Sequence, residues 1–337
     1  MQITMRQVAL RSRVSVSTVS KALRDDPSIP IARCRQIQQL AAKMGYRPNP
    51  MVSVLMAQLH HHRRRSDPHS IAWIDLWHGE EEHEPVMETR GILKGARDRA
   101  GELGYQMELY RISKDFTGPR QLSRCLATRG QWGVIIPPVP AGFRNFPLDM
   151  RGLTAVTIGT SLLEPVMHRV SPNHFQGCVL AFERLQGMGF RRIGLALSPQ
   201  MNKRVEGKWL GAYLSSQATA VGIVRIKPFI GASDDFRNHA EWLMKERPDA
   251  VLVAEEFDWK RACKQAAARG QIRPALGWLM SRQADRKNPG GLGRLDYRPE
   301  QLGHVAVDTV VSQIQRNERG EPADPRTILI DSVWIGN

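Results

Sequence analysis

The rhythm of apolar and polar positions along this chain changes near residue 70. Before that point apolar residues recur at helical spacing in short segments; beyond it short apolar runs alternate with amphipathic stretches. In the first segment Thr4 stands as an N-cap and Gln7, three residues on, completes a capping box. That helix carries Val8, Ala9 and Leu10 and is expected to end near Arg13. A tight turn at Val14 leads to Ser15, a natural cap for a second helix through Val16, Ser17, Thr18, Val19, Ser20, Lys21, Ala22 and Leu23. The spacing puts Val19, Ala22 and Leu23 on one face, ready to pack against Val8 and Ala9. It leaves Val16, Ser17, Ser20 and Lys21 on the other. A third helix starting near Pro30 turns Ile37, Leu40, Ala41 and Met44 inward and stops at Gly45. Two prolines in Tyr46-Arg47-Pro48-Asn49-Pro50 then break regular structure, and residues 51–59 read as a short helical stretch. Two short helices joined by so tight a turn predict a helix-turn-helix.

From residue 70 onward the pattern predicts strands at 70–77, 105–112, 132–138, 154–158, 191–198, 223–229, 249–254 and 275–279. Helices are predicted at 86–103, 119–129, 175–190, 202–221, 234–246 and 258–269. Regular β-α alternation implies parallel sheets with helices on both faces, and so many units imply two α/β lobes. Length agrees, since 337 residues suffice for two or three domains that each bury a core.

Charge changes the picture for the first segment. Residues 1–65 hold 12 lysines and arginines against Asp25 and Asp26, a net +10 out of +15 for the whole chain. A basic patch on one small module is the footprint expected for a polyanion partner. Residues 60–70, HHHRRRSDPHS, read as a basic linker; adjacent His60, His61 and His62 do not converge on one metal centre. Cys34, Cys125, Cys178 and Cys263 lack any C-x-x-C spacing and read as reduced thiols of a cytoplasmic protein. No apolar run approaches transmembrane length, so no membrane partner is expected.

The run VSVSTVSKAL, followed by a third helix ending MGYRPNP, resembles the lactose-repressor (LacI) family of bacterial transcription regulators over residues 3–55. The resemblance implies that the second helix enters the major groove of operator DNA. Val16, Ser17 and Lys21 would read bases, with Ser15, Thr18 and Ser20 among the backbone contacts; beside them, Arg24 and Arg33 are cations that could pair with phosphates. The stretch after Asn49 would be a hinge helix that wedges Leu55 into the minor groove, an insertion that kinks DNA by unstacking a base step. The sequence departs from the family where Arg13 replaces the usual turn glycine, where Val52 and Ser53 replace an Ala-Arg pair, and where Arg33 replaces a threonine.

Farther along, HFQGCVLAFERLQGMGFRRIGLAL, RVEGKW, YRPEQLGHVAVDTVVSQI and RTILIDSVWIG resemble the same family's effector domain, a two-lobed periplasmic-binding-protein-like fold. The implied organisation is a small all-α helix-turn-helix domain with hinge helix at 1–58, a linker at 59–70 and the α/β domain at 71–337. By that analogy lobe 1 takes about 71–168 and 299–320, and lobe 2 about 169–298 and 321–337. A small-molecule effector, carbohydrate among the candidates, would bind between the lobes at the strand C-termini. The implied cleft residues are Trp77, Asn173 (where relatives usually carry aspartate), Arg204, Glu255, Glu256 and Trp278. An arginine fork suits sugar hydroxyls or a carboxylate.

Other chemistry is weakly supported. HGEEEHE at 78–84 reads as a solvated loop more readily than as a metal site, and most of the tryptophans read as core. G-x-S-x-G, H-E-x-x-H and P-loop patterns are absent, and GGLGRL at 290–295 does not sit between a strand and a helix as a dinucleotide site requires. The expectation is therefore a non-enzymatic, cofactor-free homodimeric regulator, with a tetramer as the alternative assembly. Two rivals stand beside it: a DNA-binding protein whose cleft has decayed, and a small-molecule binding protein with an incidental basic arm.

Overall fold

The computed structural model describes residues 3–23, 28–46, 70–76, 89–112, 118–140, 144–232, 234–254, 259–268, 270, 273–280 and 291–336. These form two compact units, a helical one at the amino terminus and an α/β one.

The helical unit comprises α1 (Met5–Ser12), α2 (Val16–Ala22) and α3 (Ile31–Lys43). The capping box of α1 is present: the Gln7 backbone N–H donates to Thr4 Oγ1 at 3.4 Å, and the Thr4 N–H donates to Gln7 Oε1 at 2.8 Å. Val8, Ala9, Val19, Ala22, Cys34, Ile37 and Ala41 make the core, with Leu23 and Met44 packed partly against it. Helix α3 begins after Pro30 and ends in a Schellman turn. There Gly45, at φ 73°, lets the Tyr46 N–H reach Ala41 O and its own N–H reach Ala42 O, both at 3.0 Å.

The α/β unit contains two six-stranded sheets among the described residues. The first runs β11 (Thr327–Ile330), β5 (His168–Pro172), β4 (Thr154–Ile158), β3 (Gly133–Ile136), β1 (Ser70–Asp75), β2 (Gln106–Arg111), all parallel. One face packs Ala72, Ile74 and Val134 under Leu122 and Leu126 of α5 (Pro119–Arg129). The other packs Ile71, Trp73 and Ile135 under α4 (Thr89–Glu102) and α11 (Pro299–Arg316). These two helices cross at glycines: a methyl on Gly95 would lie 2.1 Å from the Glu300 carbonyl oxygen, and one on Gly303 would lie 2.1 Å from that of Ile92.

The second sheet runs β12 (Val333–Gly336), β10 (Gly291–Asp296), β9 (Ala275–Trp278), β8 (Ala250–Val253), β6 (Ile193–Leu197), β7 (Phe229–Ile230). Only the β10–β12 pair is antiparallel. Helices α6 (His174–Gly187) and α8 (Lys208–Thr219) cover one face, α9 (Phe236–Glu246) and α10 (Trp259–Ala267) the other. The short α7 (Pro199–Arg204) stands at the end of β6.

Several elements differ from the pattern-based expectation, each for a local reason. The long helix expected at 202–221 is broken into α7 and α8, because Glu206 and Gly207 both adopt left-handed backbone, φ 57° and 70°. The strand expected from 223 is reduced to Phe229–Ile230. Ile226 satisfies its backbone through side chains instead of a ladder, its N–H donating to Gln217 Oε1 at 2.8 Å and its carbonyl accepting from the Tyr213 hydroxyl at 3.1 Å. Strands β5 and β10 were not anticipated. The run RTILIDSVWIG is two strands in two different sheets, divided at Asp331-Ser332.

The lobe assignment shifts with them. Strand β5 belongs to the first sheet, so the first crossing lies between Pro172 and His174, beyond residue 168. Strand β11 also belongs to the first sheet, so only β12 of the final segment lies in the second lobe. The remaining crossing runs from Asp296 to Pro299, and α11 packs on the first lobe.

Candidate nucleic-acid interface and inter-lobe site

The turn between α1 and α2 aims the second helix. Arg13 closes α1 at φ 53°, left-handed backbone that an L-residue adopts at a cost, and the Val14 N–H reaches back to Ala9 O at 3.1 Å. Ser15 then caps α2, its Oγ accepting from the Thr18 N–H at 3.1 Å, with the Ser17 and Thr18 hydroxyls 2.9 and 2.8 Å away. Three hydroxyls thus crowd the first turn. Val16 is 39 % exposed, an unusual place for a valine on a small domain, and Ser17 beside it is exposed too. Ser20 and Lys21 are half-buried one turn on, and Lys21 Nζ donates to Ser28 Oγ at 3.2 Å. One apolar contact, several short hydroxyls and a cation on a single helix face suit thymine methyls, base edges and phosphates. Arg33 is occupied structurally: it donates to Ser12 O and to Gln36 Oε1, each at 3.0 Å, tying α3 to the end of α1.

In the α/β unit the ends of β3 and β4 face α7 across the lobes. Arg204 of α7 donates from Nη1 to Val139 O at 3.0 Å, and its own carbonyl accepts from Thr160 Oγ1 at 2.7 Å. Desolvation first, and then the positive charge of Arg144, lowers the pKa of Arg204. Arg144 is held by its backbone, whose carbonyl accepts from the N–H groups of Leu163 and Glu164 at 2.7 and 3.2 Å. Arg169 grips the Gly159 and Leu162 carbonyls from β5. Behind them His174 lies buried edge-on to Trp209 and Tyr297, with ring centroids 5.2 and 5.5 Å away. Burial, with lesser contributions from Lys208 and Arg204, pushes that imidazole down to about 3, so it is neutral across the physiological range.

Residues 4–49 match the family model described as bacterial regulatory proteins, lacI family. The amino-terminal module is a lacI-family helix-turn-helix domain. No curated protein matches the chain. Among solved structures it is similar to a transcriptional regulator CelR–cellobiose complex, at 18 % identity and TM-score 0.53 over 99 % of this chain and 98 % of that one. It is similar to the same extent to the lac repressor dimer bound to operator and the anti-inducer ONPF. A putative lacI-family regulator from Rhizobium etli matches at 14 % identity and TM-score 0.57, covering 79 % of this chain and 96 % of that one. At such identities these likenesses establish the fold: a lacI-type head followed by a two-lobed α/β domain.

Of the residues singled out from sequence for the lacI-type head, Val16, Ser17, Thr18, Ser20 and Lys21 fall together on α2 with Ser15 at its cap, whereas Arg24, Asn49 and Leu55 lie outside the described residues. Trp77, Glu255 and Glu256 lie outside them as well. Asn173 caps α6 at the first crossing, accepting from the Gln176 N–H at 3.2 Å and donating to Asp331 Oδ1 of the last crossing at 2.8 Å. Its amide N–H joins two connections, a bond that a carboxylate at this position could not donate. Trp278 is 5 % exposed and packs with Phe229, Trp242 and Leu243 in the lobe core, which leaves little ring surface for stacking a ligand. Sequence reading missed Arg144, Thr160, Arg169 and His174. Arg144 sits in an irregular loop with no periodic signal, and its only flag was a cation shortly after a buried strand.

Proposed function

We propose that this chain is a sequence-specific transcription regulator, a repressor, that binds pseudo-palindromic operator DNA as a homodimer. The observation that carries the reading is the capped α2, which presents Val16, Ser17 and Lys21 outward from a head matching the lacI family. Val16, Ser17 and Lys21 would read base edges, Ser15, Thr18 and Ser20 would hold the backbone, and Arg24 would add a phosphate contact. Residues 1–58 would form the head with its hinge, Leu55 serving as the minor-groove wedge, residues 59–70 the linker, and the rest the effector and dimerisation domain. The protein would act in the cytoplasm without catalysis; among the described residues no helix is long and apolar enough to cross a membrane.

A small molecule between the lobes would set the angle across the three crossings and so the geometry of the paired heads, a coupling that runs equally in both directions. The named ligands of the similar structures, operator DNA, cellobiose and ONPF, support a nucleic-acid partner and a small effector. Arg204 favours a second reading in which the cleft is a fixed scaffold, because Val139 and Thr160 already bridge it to the opposite lobe. Selection of DNA from a random pool by the full-length chain tests the main reading: a palindromic consensus is expected, and retention of no DNA at low salt would refute it. Effector-dependent loss or gain of that binding separates the main reading from the scaffold.

A further inference from the structure

The cations between the lobes do not behave like surface charges. Arg144 Nε is fully buried and has no hydrogen-bond partner. Arg204 is partly buried and spends one guanidinium hydrogen on a neutral carbonyl. Among the described residues no carboxylate pairs with either. Glu206, the acid beside them, is taken by Lys208 and also faces Arg169, and Glu164 next to the Arg144 anchor is exposed. A guanidinium carries five donors, and withdrawing it from water without an anion is unfavourable. The backbone that carries Arg144 is moreover fixed, since the 144–146 segment is pinned to 163–164 by three backbone hydrogen bonds.

We propose that the cleft takes an anionic small molecule, gripped through a carboxylate or phosphate by Arg144 of the first lobe and Arg204 of the second. This rests on the effector-site reading and sharpens it from a neutral sugar to an oxyanion. A guanidinium with one hydrogen spent or one nitrogen buried still keeps donors for an oxyanion, and one anion shared between them would relieve the repulsion that Arg144 imposes on Arg204. Because the two arginines belong to different lobes, such a ligand would favour the closed arrangement, which is the differential interaction a switch requires.

The test uses the full-length chain at constant ionic strength, with phosphate or malonate exchanged for chloride, and with glucose and cellobiose as neutral probes. Binding is read by calorimetry and by the melting midpoint. At least one of the two anions is expected to bind at least about tenfold tighter than either sugar, and the better one names the head group. Arg144→Gln should weaken that anion by about tenfold or more, and Arg144→Lys, which keeps charge but loses the fork, by less. The Gln variant also separates the cleft from anions on the basic head, which it leaves intact. A melt in chloride checks that it folds, and the Lys variant supplies the comparison if it does not. Equal midpoints in phosphate, malonate and chloride, or an undiminished anion response in Arg144→Gln, would overturn the proposal. A neutral sugar that alters DNA affinity while no anion binds would overturn it and keep the effector reading. Anion binding lost in Arg144→Gln but without effect on DNA affinity would support the anion site and remove the effector reading.

Discussion

The head and the inter-lobe site use positive charge in opposite ways. In the head, cations ring a core of seven buried small and medium side chains, and α2 turns short polar groups outward around Lys21. Between the lobes, arginines are drawn in among carbonyls and aromatic rings, where Arg204 and Arg169 lose water and Arg144 Nε loses every partner. Exposed charge supplies long-range attraction that salt erodes, whereas withdrawn charge supplies selectivity because an unmatched ligand leaves it unsatisfied. On the proposed reading, one surface would follow a polyanion and the other would reject what does not fit.

The largest expected effect comes from breaking the head alone. Ile37 is 1 % exposed at the centre of a small core, so Ile37→Ala should cost about 2–5 kcal/mol, comparable to the whole margin of so small a domain. Calorimetry should show the α/β transition unchanged while gel-shift binding disappears. Loss of both transitions together would mean that the two units do not fold independently.

The next effect belongs to the α/β domain. His174 is neutral when folded, with a pKa near 3, whereas the unfolded chain takes up its proton near pH 6.5. The unfolded state therefore binds more protons below pH 6.5, and stability present above that value is lost as pH falls toward 3. By linkage the loss at pH 5 is about 2 kcal/mol relative to pH 7.5, and His174→Gln should flatten that slope whatever its absolute stability. Denaturant melts of both proteins at the two pH values check this.

Lys21→Ala should then lower the preference for the selected site over random DNA by about 1–3 kcal/mol, with little change on random DNA. Equal losses on both would move Lys21 from base reading to phosphate contact. The smallest effect is a gain: Arg13→Gly relieves left-handed backbone at φ 53° and should stabilise the head by about 1 kcal/mol, measured without DNA.

What the sequence revealed follows the same division. Caps, the Gly45 stop and the inward face of α2 were legible because they are local: Thr4, Gln7, Ser15 and Gly45 act within a few residues of themselves. Arg13 was legible as an anomaly, and its φ supplies the reason a glycine suits that turn. Strands β5 and β10 were hidden because His168 and Arg169 interrupt the apolar run of one, and Gly291 and Gly293 dilute the other. The RTILIDSVWIG break was hidden because Asp331-Ser332 changes sheets without a proline or glycine. Arg33 and Arg144 show the limit for site residues. Nothing in composition distinguishes an arginine that ties Ser12 to α3 from one whose Nε is buried without a partner; only the surroundings do.

The most direct test of the central claim is the dissociation constant of the full-length chain for its selected operator, titrated from low to physiological salt beside a scrambled duplex. The account predicts a steep fall in affinity with salt on both duplexes and a preference for the operator of about a thousandfold or more that survives it. Equal affinity for the two duplexes at every salt concentration would contradict it, because α2 would then be a basic surface and not a reader of sequence.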